Sequence, residues 1–197
     1  MNIAFFDFDG TITNKDTLIH FIIFAVGYKT FLLKLILIVP WLLLYAVKLL
    51  PNWRAKEKVL SIYFQGWEME TFNQCAFKYA TEHVPLIVKS IAIKTINEHK
   101  EHNDIIVVVS ASCENWLKPW CDLYNLDCVA TCLEVKDQKI TGKFLGKNCY
   151  GSEKVTRIKQ KYNLKLYKHI YAYADSSADR YMIDLADIRY YKWKRIS

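Results

Sequence analysis

Short apolar runs recur along this chain, and each ends in small or charged residues. Four of them have the length of a β-strand: 3–8, 105–109, 169–174 and 188–191. Their β-branched and aromatic side chains, with little polar alternation, are typical of strands buried on both faces of a parallel sheet. Helical periodicity fills most of the sequence between them, so the pattern predicts an α/β fold with a Rossmann-like parallel sheet.

Helical periodicity is continuous from residue 15 to residue 85, and no strand is predicted there. We interpret 15–85 as an all-helical cap that is inserted into an α/β core formed by 1–14 and 86–197. The core is expected to resume with a helix over 86–102, which leads into the second strand. A further strand is predicted over 128–135, a β-hairpin edge over 135–143 and a basic tail over 192–195.

The first part of the cap, 18–50, is unusually apolar. Within it, 31–47 is hydrophobic on every side of a helix and is broken only by Lys34 and Pro40. Its length is near the ~20 residues of a membrane span, but a single span would separate Asp7 from the later strands. Two interpretations stay open: helices packed in the cap or in a homodimer interface, or a helical hairpin that enters one leaflet of a membrane.

Composition narrows the range of partners. The chain is 52% hydrophobic and has a formal net charge of +7, without a long run of one charge sign. This argues against a nucleic-acid-binding tail and suits an anionic substrate or an anionic membrane surface.

The six cysteines form no CxxC pair, which favours reduced thiols. No signal peptide is predicted, because the N-terminus lacks a basic start and Asp7 and Asp9 interrupt its apolar run. We therefore expect a cytoplasmic location, with membrane association under the second interpretation of 18–50.

Polar side chains follow the predicted strands at their carboxyl ends. Asp7 and Asp9 end the first strand, Ser110 follows the second, and Asp175 follows the strand at 169–174. Ligands bind beyond the carboxyl ends of strands in parallel sheets, so these side chains are expected to share one site. Asp7 and Asp9 point the same way and would repel each other unless a cation or a shared proton compensates. The pattern predicts a site for a metal ion and an anion, with one acid free to act as a nucleophile.

Two further positions suit an anion. Ser110 comes shortly before a helix predicted from about Glu114, and anions are favoured at helix N-termini; a simple helix cap is the alternative role for this serine. Lys154 lies in the first turn of a helix predicted to begin at Ser152, where a cation opposes the helix dipole. This unfavourable position favours a functional role for Lys154.

These residues resemble the haloacid dehalogenase superfamily of phosphatases, whose four motifs occur here in order. Asp7-Phe8-Asp9-Gly10-Thr11 matches the first motif, Ser110 the second, Lys154 the third, and Asp175 with Asp179 the fourth. The sequences around Ser110 and Lys154 are similar to the subfamily that includes phosphoserine phosphatases. Ala174 stands where the family usually has glycine, which is a mild departure.

The resemblance implies the haloacid dehalogenase fold with a C1-type helical cap, and a Mg²⁺-dependent phosphomonoester hydrolase. Asp7 would attack phosphorus and form an aspartyl phosphate, and Asp9 would protonate the leaving oxygen. Mg²⁺ would be bound by Asp7, Asp175 and the backbone carbonyl of Asp9. Asp179 would be a further metal ligand, direct or outer-shell, or would orient Lys154. The phosphate-binding residues would be Ser110, Ala111, Lys154, Gly10 and Thr11.

The cap is expected to select the substrate. Asp16 aligns with an acid that contacts the substrate amine in phosphoserine phosphatases, and it suits a helix cap at least equally well. Arg54 is the nearest candidate for a cap arginine that holds the substrate carboxylate, and Lys56 or Lys58 fit about as well.

A small phosphorylated metabolite is the expected substrate. The alternative is a lipid phosphate, because phosphatidylglycerophosphatases of the same subfamily have a similarly apolar segment. A phosphotransferase uses the same residues, and an inactive phosphate-binding module is the least favoured hypothesis, since Asp7, Asp9 and Lys154 are intact.

Overall fold

Eight strands form two sheets in the computed structural model, which describes all 197 residues. The strands are β1 (Ile3–Phe6), β2 (Ile105–Cys113), β3 (Asp127–Thr131), β4 (Leu133–Lys136), β5 (Lys139–Phe144), β6 (Ile170–Ala174), β7 (Ile188–Tyr191) and β8 (Lys194–Ile196). Six of them form one sheet in the order β3-β2-β1-β6-β7-β8, and β4 pairs with β5 in a separate hairpin. Every pair in the large sheet is parallel except β7–β8, so the predicted parallel α/β sheet is confirmed.

The first strand lies in the middle of the sheet because all four of its residues are apolar and can be buried on both faces. Each has no exposed surface. Phe6 lies beside Val108 of β2 and Tyr173 of β6 in the ladders, and its ring stacks on that of Tyr173 with centroids 4.3 Å apart. The carboxyl ends of β1, β2 and β6 therefore meet at one edge, so the residues that follow them face one another.

Eight α-helices complete the fold. They are α1 (Thr17–Val26), α2 (Tyr28–Ala46), α3 (Asn52–Phe64), α4 (Met69–Lys78), α5 (Ser90–Glu101), α6 (Glu114–Leu123), α7 (Ser152–Lys161) and α8 (Arg180–Asp184). The first four lie between Thr13 and Val88, which form an isolated antiparallel bridge. An aromatic cluster joins them to the rest of the molecule: Phe21 of α1 stacks on Trp116 of α6 at 4.6 Å and lies 5.4 Å from Phe64 of α3.

The β4–β5 hairpin, which the sequence predicts over 135–143, packs on α3. Gly142 lies so close to Ser61 of that helix that a Cβ would overlap the Ser61 backbone. Three backbone hydrogen bonds join the hairpin to the loop after α3 and to the start of α4: Gly66 N–H to Ile140 O at 2.9 Å, Ile140 N–H to Trp67 O at 2.9 Å, and Met69 N–H to Gln138 O at 2.7 Å. Helices α1–α4 are thus fastened to the hairpin at this end.

Helix α2 is long and apolar, yet it is hardly buried. By length and composition alone it is able to cross a membrane, and only 6% of its 18-residue apolar window is buried. Ile38 is its one buried residue. Packing within the cap, which was one interpretation of the sequence, therefore leaves the outer face of α2 unexplained.

Three elements differ from the sequence predictions. The helix predicted over 86–102 begins only at Ser90, because Pro85 lies in the 3₁₀ turn Val84–Ile87 and Val88 is extended where it pairs with Thr13. The single strand predicted over 128–135 is divided into β3 and β4, which belong to different sheets. The predicted basic tail forms β8, because the backbone reverses at Lys192 and Trp193, both with positive φ.

Candidate active site

One wide turn, Phe8–Ile12, follows β1. It contains Asp9, and Asp7 comes directly before it, so both carboxylates lie at the sheet edge. The Thr13 N–H and hydroxyl close this turn by donating to Phe8 O at 2.9 and 3.2 Å. Gly10 has a φ of 81°, and a Cβ there would overlap the Asp175 carboxylate. Only glycine therefore fits at this position. Lys89, just before α5, donates to the Gly10 carbonyl and holds the turn from outside.

Lys154 is buried between two carboxylates. Its Nζ lies 2.6 Å from Asp7 Oδ1 and 2.5 Å from Asp179 Oδ1, and its side chain is 2% exposed. Burial lowers the pKa of Lys154, but the two carboxylates raise it by more, so the ammonium keeps its charge. Burial raises the pKa of Asp7 to about 7, although Lys154 acts to lower it. The single ammonium group of Lys154 therefore does not neutralise the carboxylates beside it.

Three carboxylates converge beside this lysine. Oxygens of Asp7, Asp175 and Asp179 lie within 4.8 Å of one another. The Thr11 hydroxyl lies 3.3 Å from Asp7 Oδ2 and 3.2 Å from Asp175 Oδ1, and the Ser176 hydroxyl donates to Asp179 Oδ2 at 2.5 Å. Hard oxygen donors with excess negative charge suit a small divalent cation. The residues at this position therefore fit Mg²⁺.

The Asp9 carboxylate lies outside that group and is held by α1 and the end of β2. It accepts hydrogen bonds from the Thr17 N–H at 2.7 Å and from the Ser112 hydroxyl at 2.5 Å. The Thr17 hydroxyl lies 3.0 Å from that of Ser112 and accepts from Trp116 Nε1 at 3.3 Å. Burial, and then the charge of Asp16, raise the pKa of Asp9 against these hydrogen bonds. A raised pKa suits a carboxylic acid that donates a proton.

The side chains predicted to bind phosphate divide into two sets. Ser110 and Ala111 line the same cavity as Asp7 and Lys154. Ser110 is 1% exposed, and its Oγ accepts the Ser112 N–H at 3.0 Å. Gly10 and Thr11 do not line this cavity: Thr11 is 2% exposed and bonds to the carboxylates, and Gly10 forms the turn.

A cavity of about 230 Å³ joins these core residues to the cap, which contributes Asp16, Asn52 and Lys56. Asp16 is the helix cap that the sequence predicts, because its carboxylate accepts the N–H groups of Leu18 and Ile19 at the start of α1. Since it also lines the cavity, contact with a substrate amine stays a prediction. Arg54 does not line the cavity. Its guanidinium lies over the Trp53 ring, 5.1 Å from the centroid, so Lys56 is the cap cation at this site.

Three supporting residues were not predicted. Ser112 and Thr17 position Asp9, and Lys89 fixes the Gly10 carbonyl. The Ser-Ala-Ser sequence after the apolar run 105–109 is a usable signal for Ser112, since both serines lie in the last residues of β2. For Thr17 and Lys89 the sequence offers no signal. Thr17 contacts Asp9 across the turn Phe8–Ile12, and Lys89 contacts the carbonyl of Gly10, which is remote in sequence.

Comparisons with known proteins agree with this architecture. The family model of haloacid dehalogenase-like hydrolases matches residues 4–184. Protein CicA of Caulobacter vibrioides (strain NA1000 / CB15N) is 26% identical over 191 residues, which cover 95% of this chain and 84% of CicA.

Solved structures share the fold at lower identity. A protein of unknown function from Bordetella pertussis Tohama I is 18% identical with a TM-score of 0.77, covering 94% of this chain and 86% of that one. A substrate-bound phosphoserine phosphatase is 19% identical with a TM-score of 0.68, covering 96% and 85%.

Proposed function

The chain belongs to the haloacid dehalogenase-like hydrolase family, and on that basis we propose that it is a Mg²⁺-dependent phosphomonoester hydrolase. The observation that carries the proposal is the arrangement of Asp7, Asp9 and Lys154 around one cavity. Two carboxylates with different surroundings suit two different tasks. Asp7 contacts a cation and suits attack on an anion, whereas Asp9 is hydrogen-bonded by neutral groups and suits proton transfer.

The reaction has two steps. Asp7 attacks phosphorus, the bond from phosphorus to the ester oxygen breaks, and Asp9 gives its proton to the departing alcohol. A water molecule then attacks the aspartyl phosphate, Asp9 takes a proton from that water, and inorganic phosphate leaves with the Asp7 carboxylate restored.

Charge on the phosphoryl oxygens is offset by groups that are already in place. The Lys154 ammonium and the Ser110 hydroxyl face the cavity beside Asp7. Asp7, Asp175 and Asp179 would hold Mg²⁺, with the backbone carbonyl of Asp9 as a further proposed ligand. When bound, Mg²⁺ supplies the positive charge that lets a carboxylate approach a phosphate dianion.

Removal of divalent cations is expected to abolish hydrolysis, because one lysine would then be left to offset three carboxylates, whose remaining negative charge repels a phosphate. The measurement is phosphate release from a panel of soluble and lipid phosphomonoesters, in Mg²⁺ and in EDTA. Restoration by added Mg²⁺ controls for damage by the chelator. Activity that is unaffected by EDTA would contradict the proposal.

Asp9→Asn is expected to slow phosphoryl transfer from an alkyl phosphate by about 10²–10⁴-fold. Transfer from p-nitrophenyl phosphate should be far less affected, since nitrophenolate leaves without a proton. The measurement is the pre-steady-state release of each alcohol, and a p-nitrophenol burst should persist in the variant because the second step still needs Asp9. An equal slowing of both substrates would rule out a general-acid role for Asp9.

One observation favours a lipid phosphate as the substrate, in place of a small metabolite. The exposed helix α2 ends beside the cavity, where Asn52 Nδ2 donates to the Tyr45 hydroxyl at 3.3 Å. An amphiphilic substrate would be able to pass from that apolar surface to the carboxylates over a short path. The panel separates the two classes, because a lipid enzyme should hydrolyse a dispersed lipid phosphate faster than phosphoserine.

The proposed location is the cytoplasm. All six cysteines are unpaired in the structure. Free thiols are usual in a reducing compartment.

A further inference from the structure

We propose that the outer face of α2, together with the basic cleft beneath its C-terminal half, docks on a lipid bilayer that contains anionic lipids. The outer face consists of large apolar side chains that are 60–72% exposed: Leu33, Ile36, Leu37 and Leu43. A surface helix normally turns such residues towards the core. Contiguous apolar patches of this kind on soluble proteins mark surfaces that contact a partner or a membrane.

The inner face keeps α2 attached to the protein. Phe31 stacks on Tyr63 with ring centroids 5.8 Å apart, and the Tyr63 hydroxyl donates to Phe31 O at 2.8 Å. Lys34 Nζ donates to Ile62 O, also at 2.8 Å. Crossing the membrane would require α2 to leave α3 and break these contacts. The helix therefore lies along the bilayer surface with its outer side chains in the headgroup and acyl boundary.

The charged residues of α2, and those that flank it in the sequence, are all basic. No acidic residue occurs between Asp16 and Glu57. Exposed Lys29 and Lys48 lie just inside one end of the helix and just beyond the other, and Arg54 follows at the start of α3. An apolar centre flanked by cations is complementary to acyl chains below anionic headgroups.

A cleft of about 330 Å³ between α2 and α3 provides a position for one headgroup. Its cations are Arg54, Lys58 and Lys143. Its one carboxylate, Glu57, already accepts the Phe144 N–H at 2.9 Å. Lys58 Nζ lies over the ring of Trp41, 4.6 Å from the centroid, and tryptophan is enriched where headgroups meet acyl chains.

A second copy of this chain fits the surface less well. Pairing two α2 helices would bring their terminal lysines together in either orientation and would set the two basic clefts near each other. Such like-charge contacts oppose association. An anionic bilayer satisfies both the apolar face and the cleft, so it is the occupant that the structure favours.

The test is sedimentation of the full chain with vesicles of phosphatidylcholine, alone or mixed with phosphatidylglycerol. Wild type should pellet with the mixed vesicles and be released by alkaline carbonate. Ile36→Glu should lower the vesicle partition about tenfold or more, because it removes an apolar side chain that would be buried in the bilayer. Leu166→Glu is the matched control, since Leu166 is also 72% exposed but lies in the 3₁₀ turn Leu164–Leu166. Its partition should not change.

The cleft has its own variant. The double variant Lys58→Gln/Lys143→Gln removes two cations from the cleft. Its binding to mixed vesicles should weaken by about fivefold for each lysine removed, and its binding to neutral vesicles should not change. Thermal unfolding of each variant checks that it is folded. The measurements need no turnover, so they stand whether or not the proposed hydrolysis is observed.

Three outcomes would overturn the proposal. Equal sedimentation of Ile36→Glu and Leu166→Glu would show that the outer face of α2 does not contact lipid. Retention in the membrane after carbonate would show a helix that crosses the bilayer. A dimer by light scattering that Ile36→Glu converts to monomer, without vesicle binding by wild type, would assign the face to a second copy.

Discussion

Asp7→Asn is expected to lower kcat for phosphomonoester hydrolysis by at least about 10⁴-fold. The amide has no carboxylate to form an aspartyl phosphate. The fold should persist, because burial already raises the pKa of Asp7 to about 7, so a neutral group of the same shape is tolerated. The measurement is the initial rate of phosphate release in saturating Mg²⁺, beside the melting temperature of each protein.

Asp137→Asn is the matched control for this substitution. Asp137 is exposed in the β4–β5 turn with a φ of 48°, a conformation that asparagine adopts readily. Acid quenching gives a second readout: wild type should retain phosphate covalently, and Asp7→Asn should not. Wild-type rates in Asp7→Asn would eliminate the nucleophile assigned here.

Lys154→Gln is expected to affect both stability and catalysis. In the metal-free protein it leaves Asp7 and Asp179 buried without their cation, which costs about 3–5 kcal/mol of unfolding free energy. In Mg²⁺ the stability should partly recover, because the ion replaces the missing positive charge. kcat should still fall about 10²–10³-fold, since a donor to the phosphoryl oxygens is lost.

The stability loss should depend on pH in a defined direction. A buried carboxyl without a cation has a folded-state pKa above its unfolded value. The folded state is then stabilised by proton uptake at low pH, and this stabilisation is lost as the pH rises through the folded-state pKa. The deficit of Lys154→Gln should therefore grow from about pH 5 to about pH 8. Urea unfolding at both pH values measures the loss of unfolding free energy. The control is Lys159→Gln, since Lys159 is exposed on the same helix. A deficit that is equal at both pH values, or equal in the two variants, would contradict the buried ion-pair model.

The arrangement of the core and most of the site followed from short-range patterns. Apolar runs located the strands, and the residues directly after them, Asp7, Ser110 and Asp175, were brought together by the parallel ladder. Lys154 was identified because its place in the first turn of α7 is unfavourable for the helix itself. These signals depend on a few neighbouring residues, which is why a single sequence carries them.

The cap residues were harder to predict because they depend on helix rotation. Arg54 and Lys56 are two positions apart on α3, so their side chains project about 200° apart around the axis. No local signal decides which one faces the cavity, and the structure selects Lys56. Helix α2 presents the same problem more strongly, since a helix that is apolar on all sides has no preferred inward face.

The junction of the β4–β5 hairpin with the loop after α3 has a consequence for how the cavity opens. Three backbone hydrogen bonds and the close approach of Gly142 to Ser61 would have to break before α1–α4 could swing away alone. A cap that opened would therefore take the hairpin with it, and the chain would have to bend near Thr13 and Val88 and at both ends of the hairpin. Asn52 of α3 and Tyr150 both line the cavity, one on the part that would move and one outside the hairpin.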